Sequence, residues 1–379
     1  MSNASTLLRR PPLDTPLLVG VLGLILMGLI MVGSASISIA TDQSGNPFYF
    51  LIRQGVYVGL GLLLGWQVLR IPLRFWERLG PHLLLFGMGL LVIVLIPGIG
   101  RNVNGSSRWL GFGPLTIQPS EFVKLFSIIY LSGYVVRRGT EVRRSVWGFV
   151  KPLLVLGLIA FLLLLEPDFG TSVVVLVTSM GVLFLAGVRV WQFVVLLIPV
   201  ISGLMVLAVV SPYRLQRVLS FLDPWQDAFG KGYQLTQALI AFGRGEWFGV
   251  GLGGSVQKLH YLPEAHTDFL LSVLAEELGL AGILLIIGLF SFVVWRIFHI
   301  AERAERTNNP FAAYLCYGVA LWIGFQAFIN IGVNMGILPT KGLTLPLMSY
   351  GGSSVMVTCM AVALLLRVAG EPVLPVPAP

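Results

Sequence analysis

The densest group of side chains able to do chemistry lies in one stretch, YLPEAHTDFLLSVLAEELG at 261–279. It carries Glu264, His266, Asp268, Glu276 and Glu277 where a polar loop runs into a long apolar segment. Charged groups bordering hydrocarbon are costly and persist mainly where they face a cavity and perform a task. Asp268 is the candidate base, because partial burial beside other carboxylates moves a carboxyl pKa toward the range useful for proton abstraction. A second role fits the same position: an acid at a helix start, bonded to free backbone N–H groups and favoured by the dipole. Position alone leaves both open. Glu264, His266 and Glu276 are candidate supporting groups, and Glu276 or Glu277 can equally pair with a cation on another span such as Lys124.

Three other segments add candidates. GIGRNVNGSSRWLGFGPLTI, 98–117, reads as a polar loop leading into QPSEFVKL. Glu121 and Lys124 lie on one helical face there and can pair; alternatively Lys124, with Arg101 or Arg108, attracts an anionic headgroup. EPDFGTS, 166–172, sets Glu166 at the border of the apolar core and Asp168 before a helix start, where capping and a functional role are both open. GILPTKGLTLPLMSYGGSS, 336–354, places Lys341 in a Pro- and Gly-broken loop, with Tyr350 to Ser354 interrupting the next apolar run. Broken helices mark binding sites within membrane bundles. Gln118 and Ser353 join Arg101, Arg108, Lys124, Lys341, Glu121 and Glu166 as candidates for binding a polar, anionic headgroup. No ligand spacing marks a metal site.

These residues need a scaffold, and the composition says which. The chain is 56% hydrophobic and only 11% charged, against about a quarter charged in a soluble domain. Its mean hydropathy is +0.87. Nearly every segment longer than a loop is an apolar run of membrane-spanning length, so the expected fold is an all-α polytopic membrane protein with about ten transmembrane helices. Spans are expected near 17–38, 48–69, 81–97, 118–136, 149–165, 170–187, 191–210, 267–298, 311–336 and 343–367. The domain plan is an N-terminal tail at 1–16, a membrane domain at 17–367 with a large loop at 211–266, and a C-terminal tail at 368–379. In the large loop, 233–243 reads as an amphipathic surface helix, and the glycines around 243–254 as hinges of a mobile lid. Cys316 and Cys359 both lie in apolar runs, which gives neither a disulfide framework nor a thiolate metal site.

The net charge of +8 is a topology signal, not a nucleic-acid one. Arginines concentrate in alternate connectors: the N-tail, 70–79, 137–151, 189, 296–310 and the C-tail. The positive-inside rule makes those cytoplasmic, with both termini. The polar loops and intramembrane acids then fall on the extracytoplasmic face, where any chemistry proceeds without ATP.

The blocks GSSRWLGFGPLTIQPSEF, LLEPDFGTS, LPEAHTDF, AEELG and PTKGLTLPLMSYGGSS occur in this order. They resemble the signature blocks of the SEDS family (shape, elongation, division and sporulation). The loop text DPWQDAFGKGYQLTQALIAFGRGEWFGVGLGGSVQKLHYLPEAH is similar to the cell-division branch of that family more than to the elongation branch. The resemblance implies a ten-helix peptidoglycan glycosyltransferase of the bacterial inner membrane, acting at the septum. It would polymerise lipid II on the periplasmic face, with Asp268 as catalytic aspartate, and release undecaprenyl diphosphate. It further implies a class B penicillin-binding transpeptidase, FtsI, and the FtsQ–FtsL–FtsB complex as partners. A divalent cation, Mg or Mn, would be the one cofactor to consider. A lipid II flippase, a non-catalytic scaffold and an elongation-branch polymerase are the rival readings.

Overall fold

The computed structural model describes residues 13–103, 106–113, 115–196, 198, 223–230, 232–340 and 342–371. Helix α1, Thr15–Ser44, starts where Asp14 Oδ1 accepts from Leu17 N at 3.0 Å and stops at Gly45, whose φ of 70° ends the helix in the left-handed region. There follow α2, Tyr49–Arg70; α3, Leu73–Leu95; α4, Pro119–Arg144; α5, Val146–Leu165; and α6, Phe169–Leu185. Beyond them lie α7, Tyr233–Gly245; α8, Leu270–Arg306; α9, Pro310–Asn334; and α10, Gly352–Ala369. Residues 190–196 are also helical.

Seven of these helices, α1, α2, α3, α5, α8, α9 and α10, are long and apolar enough to cross a membrane. Helix α6 is shorter and equally apolar. Helix α4 is less hydrophobic because it carries charges inward: Glu121 and Lys124 are both buried in its first turns. Together they account for nine of the expected spans. The remaining one, 191–210, falls mostly outside the described residues. The chain is therefore a multi-pass membrane protein. Two apolar cores hold it: α3, α4, α5 and α6 enclose one, and α1, α8, α9 and α10 enclose most of the other. Large apolar side chains such as Val19, Leu85, Phe86, Leu154 and Leu284 point outward, as a lipid-facing surface requires.

The structure departs from the sequence expectation in four places, each for a physical reason. Segment 98–117 is not a plain loop. It forms a three-stranded antiparallel sheet, β1 (Gly100–Val103), β2 (Ser106–Phe112) and β3 (Leu115–Ile117), in the order β1-β2-β3. Strand β3 is tied to the bundle because Thr116 N donates to Tyr57 Oη at 3.3 Å.

The second departure is span ten, which begins nine residues late, at Gly352 rather than 343. Residues 343–351 run through the bundle without helix, and Leu347 has φ 64°. Non-helical backbone at membrane depth survives only when protein satisfies it. Here Asn330 Nδ2 donates to Leu343 O at 2.6 Å and Gln326 Nε2 to Thr344 O at 2.9 Å. Gln54 Nε2 donates to Ser349 O at 3.1 Å, and Tyr350 N to His266 O at 2.9 Å. Gly28 of α1 makes room: a Cβ there would sit 2.5 Å from Met348 Cα.

Third, α8 is broken at Gly279, with φ 64° and ψ −162°. The chain from the large loop enters the break. Val250 N and Gly251 N donate to Glu276 O and Glu277 O, both at 3.0 Å, and Leu280 N and Ala281 N donate to Glu246 O and Trp247 O at 2.9 and 3.1 Å. Fourth, and as a result, the glycine-rich segment expected to swing as a lid is bonded into a helix instead.

Candidate active site

Asp268 lies in a turn just before α8. Its backbone is fixed from α9: Asn330 Nδ2 and Asn334 Nδ2 both donate to Asp268 O at 2.9 Å. Asn334 Oδ1 in turn accepts from Ser272 Oγ at 2.8 Å and Ser272 N at 3.2 Å. Trp322, Gln326, Asn330 and Asn334 recur every four residues on one face of α9, and this polar stripe holds the turn and the 343–345 segment together. The Asp268 carboxylate itself is half-buried, with no hydrogen bond or ion pair among the described residues. It faces the Gly342 backbone, where a Cβ would stand 3.1 Å from Oδ2. Burial, helped by the charges of Glu264 and Asp168 and opposed by Arg108, pushes this carboxyl up to about 7.

A second carboxyl pair closes one side. Asp168 caps α6, accepting from Thr171 N at 3.2 Å, as its position in EPDFGTS predicts. Its other oxygen accepts from Ser120 Oγ at 3.2 Å and Gln118 Nε2 at 3.4 Å. Gln118 N donates to Ser353 Oγ at 2.9 Å, joining the starts of α4, α6 and α10. Glu166 is fully buried and neither oxygen has a partner. Burial first, then the Asp168 charge, raises it to about 8 against the pull of Arg108. Arg108, from β2, donates through Nε to Glu166 O at 3.0 Å and through Nη2 to Pro167 O. Its charge lowers both Glu166 and Asp268 while its donors hold the α5–α6 turn.

The helices α4, α6, α8 and α10 all begin around this group, and α4 and α10 have no side-chain cap. Free N–H groups and positive dipole ends suit a phosphate. The arrangement thus combines two unpaired carboxyls of raised pKa, Asp268 half-buried and Glu166 sealed inside, with an anion-friendly wall.

Other expected site residues have different positions. Arg101 lies exposed over Gly111 on the sheet. Lys124 is not presented to an incoming anion. It is 2% exposed, pairs with Glu121 at 2.8 Å and donates to Gln326 Oε1 at 2.9 Å, so its charge is already matched inside the bundle. Glu276 and Glu277 are fully buried and do not pair with Lys124. Arg244 Nη1 is 2.8 Å from Glu276, which also accepts from Ser255 Oγ and Val256 N. Lys258 Nζ is 2.7 Å from Glu277, which also accepts from Ser34 Oγ at 2.7 Å. These acids anchor the large loop to α8. His266 is wedged between Phe50 and Tyr350, with centroids at 4.5 and 5.4 Å, and burial lowers its pKa. Glu264 is exposed and accepts from Thr267 Oγ1 at 2.7 Å, shaping the turn. Lys341 lies outside the described residues.

Sequence reasoning passed over Arg53, Tyr57 and the α9 stripe. Arg53 Nη1 donates to Tyr49 Oη at 2.9 Å beside Tyr57 and Tyr350, adding a cation on the same side of the bundle. A four-residue repeat of Gln and Asn in an otherwise apolar helix was the available signal for the stripe. Among the described residues no three His, Cys, Asp or Glu side chains cluster as a metal would require. Asp168 is also occupied by its own caps. This donor set does not fit a resident metal.

The sequence model of the cell cycle protein family of FtsW, RodA and SpoVE matches residues 15–372. The chain is 59% identical over 358 residues to a protein of Nitrosococcus halophilus named Probable peptidoglycan glycosyltransferase FtsW, covering 94% of this chain and 92% of that one. A protein of the same name from Allochromatium vinosum is 57% identical over 357 residues, covering 94% and 90%. Among solved structures, a chain from work on how a peptidoglycan synthase complex coordinates polymerization and crosslinking aligns with TM-score 0.77 and 31% identity, over 94% and 97% of the two chains. The rod shape determining protein RodA of Thermus thermophilus aligns with TM-score 0.68 and 30% identity, over 94% and 96%.

Proposed function

The chain belongs to the FtsW, RodA and SpoVE family of cell cycle proteins, and we propose on that footing that it is a peptidoglycan glycosyltransferase. It polymerises lipid II on the extracytoplasmic face of the bacterial inner membrane during division. The higher identity to the FtsW proteins than to RodA supports the division branch.

One observation carries the residue assignment: Asp268 has an unpaired carboxyl of raised pKa on a backbone held by two asparagines. In the reaction, Asp268 takes the proton from the 4-hydroxyl of the acceptor sugar. That oxygen bonds to the anomeric carbon of the donor, and the bond to undecaprenyl diphosphate breaks. Positive charge must meet the departing diphosphate. Arg108 and the open starts of α4 and α10 are suited to that task, with Gln118 and Ser353 positioning the wall. Arg101 and Lys341 are the further cations to test; Lys124 holds its own bundle together. Glu166, kept protonated by burial at neutral pH, adds no second negative charge near the diphosphate.

The FtsI-type class B transpeptidase and the FtsQ–FtsL–FtsB complex are the proposed partners, supported by the likeness to a chain of a peptidoglycan synthase complex. The arginine-rich connectors support a cytoplasmic location for both termini. Purified protein with its transpeptidase and labelled lipid II tests the reading. The native chain forms glycan strands and Asp268→Asn does not, while still folding and binding its partner. Retained polymerisation by that variant overturns the assignment, and a chelator in the same assay tests for a divalent cation.

A further inference from the structure

At the end of the bundle opposite Asp268, a cavity of about 580 Å³ is lined by Arg74, Glu77, Arg78, Pro81 and Arg137. Three guanidinium charges face one carboxylate there. The geometry points to this cavity, between the start of α3 and the far half of α4, as a binding site for the phosphate headgroup of an anionic phospholipid. The leaflet, the cytoplasmic one, rests on the orientation proposed above; the site itself does not.

Arginines at this end are expected on topology alone, so their number decides nothing. Their pairing does. Arg296 makes a two-pronged pair with Asp14 at 2.9 and 2.8 Å, Arg138 pairs with Glu141 at 3.1 Å, and Arg143 donates to Ala186 O at 3.0 Å. Arg74, Arg78 and Arg137 have no hydrogen bond or ion pair to protein among the described residues. They converge on one concavity with their charge unspent. A larger cavity beside it, of about 1030 Å³, shares Arg74 and Glu77. There the Asp14–Arg296 pair and Glu371 balance the wall, so it lacks the same excess.

The surroundings select a lipid rather than a free anion. Arg74, Arg78, Pro81, Leu85 and Val92 follow one another at helical spacing along α3. The stripe starts with two cations and continues into apolar side chains; Leu85 is 66% and Val92 48% exposed. A phosphate at the arginines would lay its acyl chains along that face. Trp66 nearby is half-exposed under the Arg70 guanidinium, 3.8 Å from its ring centroid, as interface aromatics are. Basic pockets between helices on this side of a membrane suit anionic headgroups. Gly80 sets the width of the mouth: a Cβ there would lie 3.3 Å from Tyr130 Cα of α4.

The test is native mass spectrometry of the detergent-purified full chain, titrated with phosphatidylglycerol and with phosphatidylcholine of the same acyl chains. The native protein should retain phosphatidylglycerol about a hundredfold more tightly. Arg74→Gln, Arg78→Gln and Arg137→Gln should each weaken it about fivefold, and the triple variant about a hundredfold, to the phosphatidylcholine level. Arg138→Gln, whose arginine is already paired, should leave the preference intact. Equal retention of the two lipids overturns the proposal. So does a triple variant that keeps the preference, or an Arg138→Gln loss as large as the others. Saturable binding of inorganic phosphate without any lipid preference overturns it in favour of a free-anion site. No substrate is present, so the outcome is independent of the polymerase reading.

Discussion

A base at Asp268 makes the rate depend on pH in a way an ordinary aspartate would not. An unperturbed carboxyl at about 3.9 is ionised throughout the neutral range, and the rate would be flat down to about pH 5. Burial, with Glu264 and Asp168 behind it, sets Asp268 at about 7 instead. The base form is the charged one, so polymerisation should fall as pH drops through 7, to about a tenth of its plateau at pH 6 and about a hundredth at pH 5. Two neighbours move the limb in opposite senses. Arg108→Gln removes the charge that lowers this carboxyl, so the limb should shift to higher pH. Glu264→Gln removes one that raises it, so the limb should shift to lower pH, by less in high salt because Glu264 is exposed. Asp268→Asn should cost a hundredfold or more, the usual scale of a missing general base. Initial rates of glycan formation across pH 5–8, with thermal midpoints as a folding control, make the measurement. A flat native profile, or Asp268→Asn within about tenfold of native, rules out Asp268 as the base.

Three further predictions concern the frame. Lys258→Met and Glu277→Gln each leave one half of a buried ion pair and should each destabilise by about 3 kcal/mol; the double variant should lose clearly less than their sum, and simple additivity of midpoints would contradict a paired role. Gly279→Ala meets both a φ of 64° and the Gly249 and Phe248 backbone at 2.5 and 2.6 Å; it should cost about 2–4 kcal/mol in thermal unfolding and loosen the large loop to protease. Burial alone would raise Asp14, but its bonds to Arg296 and Leu17 N outweigh that and its pKa is lowered. Its stabilisation is therefore present above the unfolded carboxyl value and lost as pH falls through the lower folded one. The midpoint gap between native chain and Asp14→Asn should close below about pH 4.

The spans were legible because hydrophobic length is a one-dimensional property, and residues 15–44 or 310–334 announce themselves without partners. The Asp168 cap and the Glu121–Lys124 pair were legible too, since each is settled within one turn. What failed was long-range. Non-helical 343–351 reads as the start of an apolar span because its backbone is satisfied by Gln54, Gln326 and Asn330 from two other helices. The sheet at 100–117 carried a turn signal, Asn104–Gly105 between two short runs, outweighed by its glycines. Glu276 and Glu277 look like site acids until Arg244 and Lys258, far back in the loop, are seen to meet them. Of the four carboxyls in 261–279, only Asp268 is left without a partner among the described residues, a distinction that no spacing could supply.

The loop that fills the break in α8 precedes that helix in the chain, and this order matters when the protein is made. An acid entering a bilayer within a helix costs about 3 kcal/mol at its centre. Glu276 and Glu277 come two together. By the time α8 leaves the ribosome, Arg244, Ser255 and Lys258 have already been synthesised and, in the orientation proposed, carried across. The helix can then insert against partners that are waiting, with neither acid left alone in lipid. Moving the same loop to follow α8, as a circular permutation would, keeps every contact of the folded state and removes that order. Such a chain should insert poorly while any fraction that does insert is as stable as the native protein.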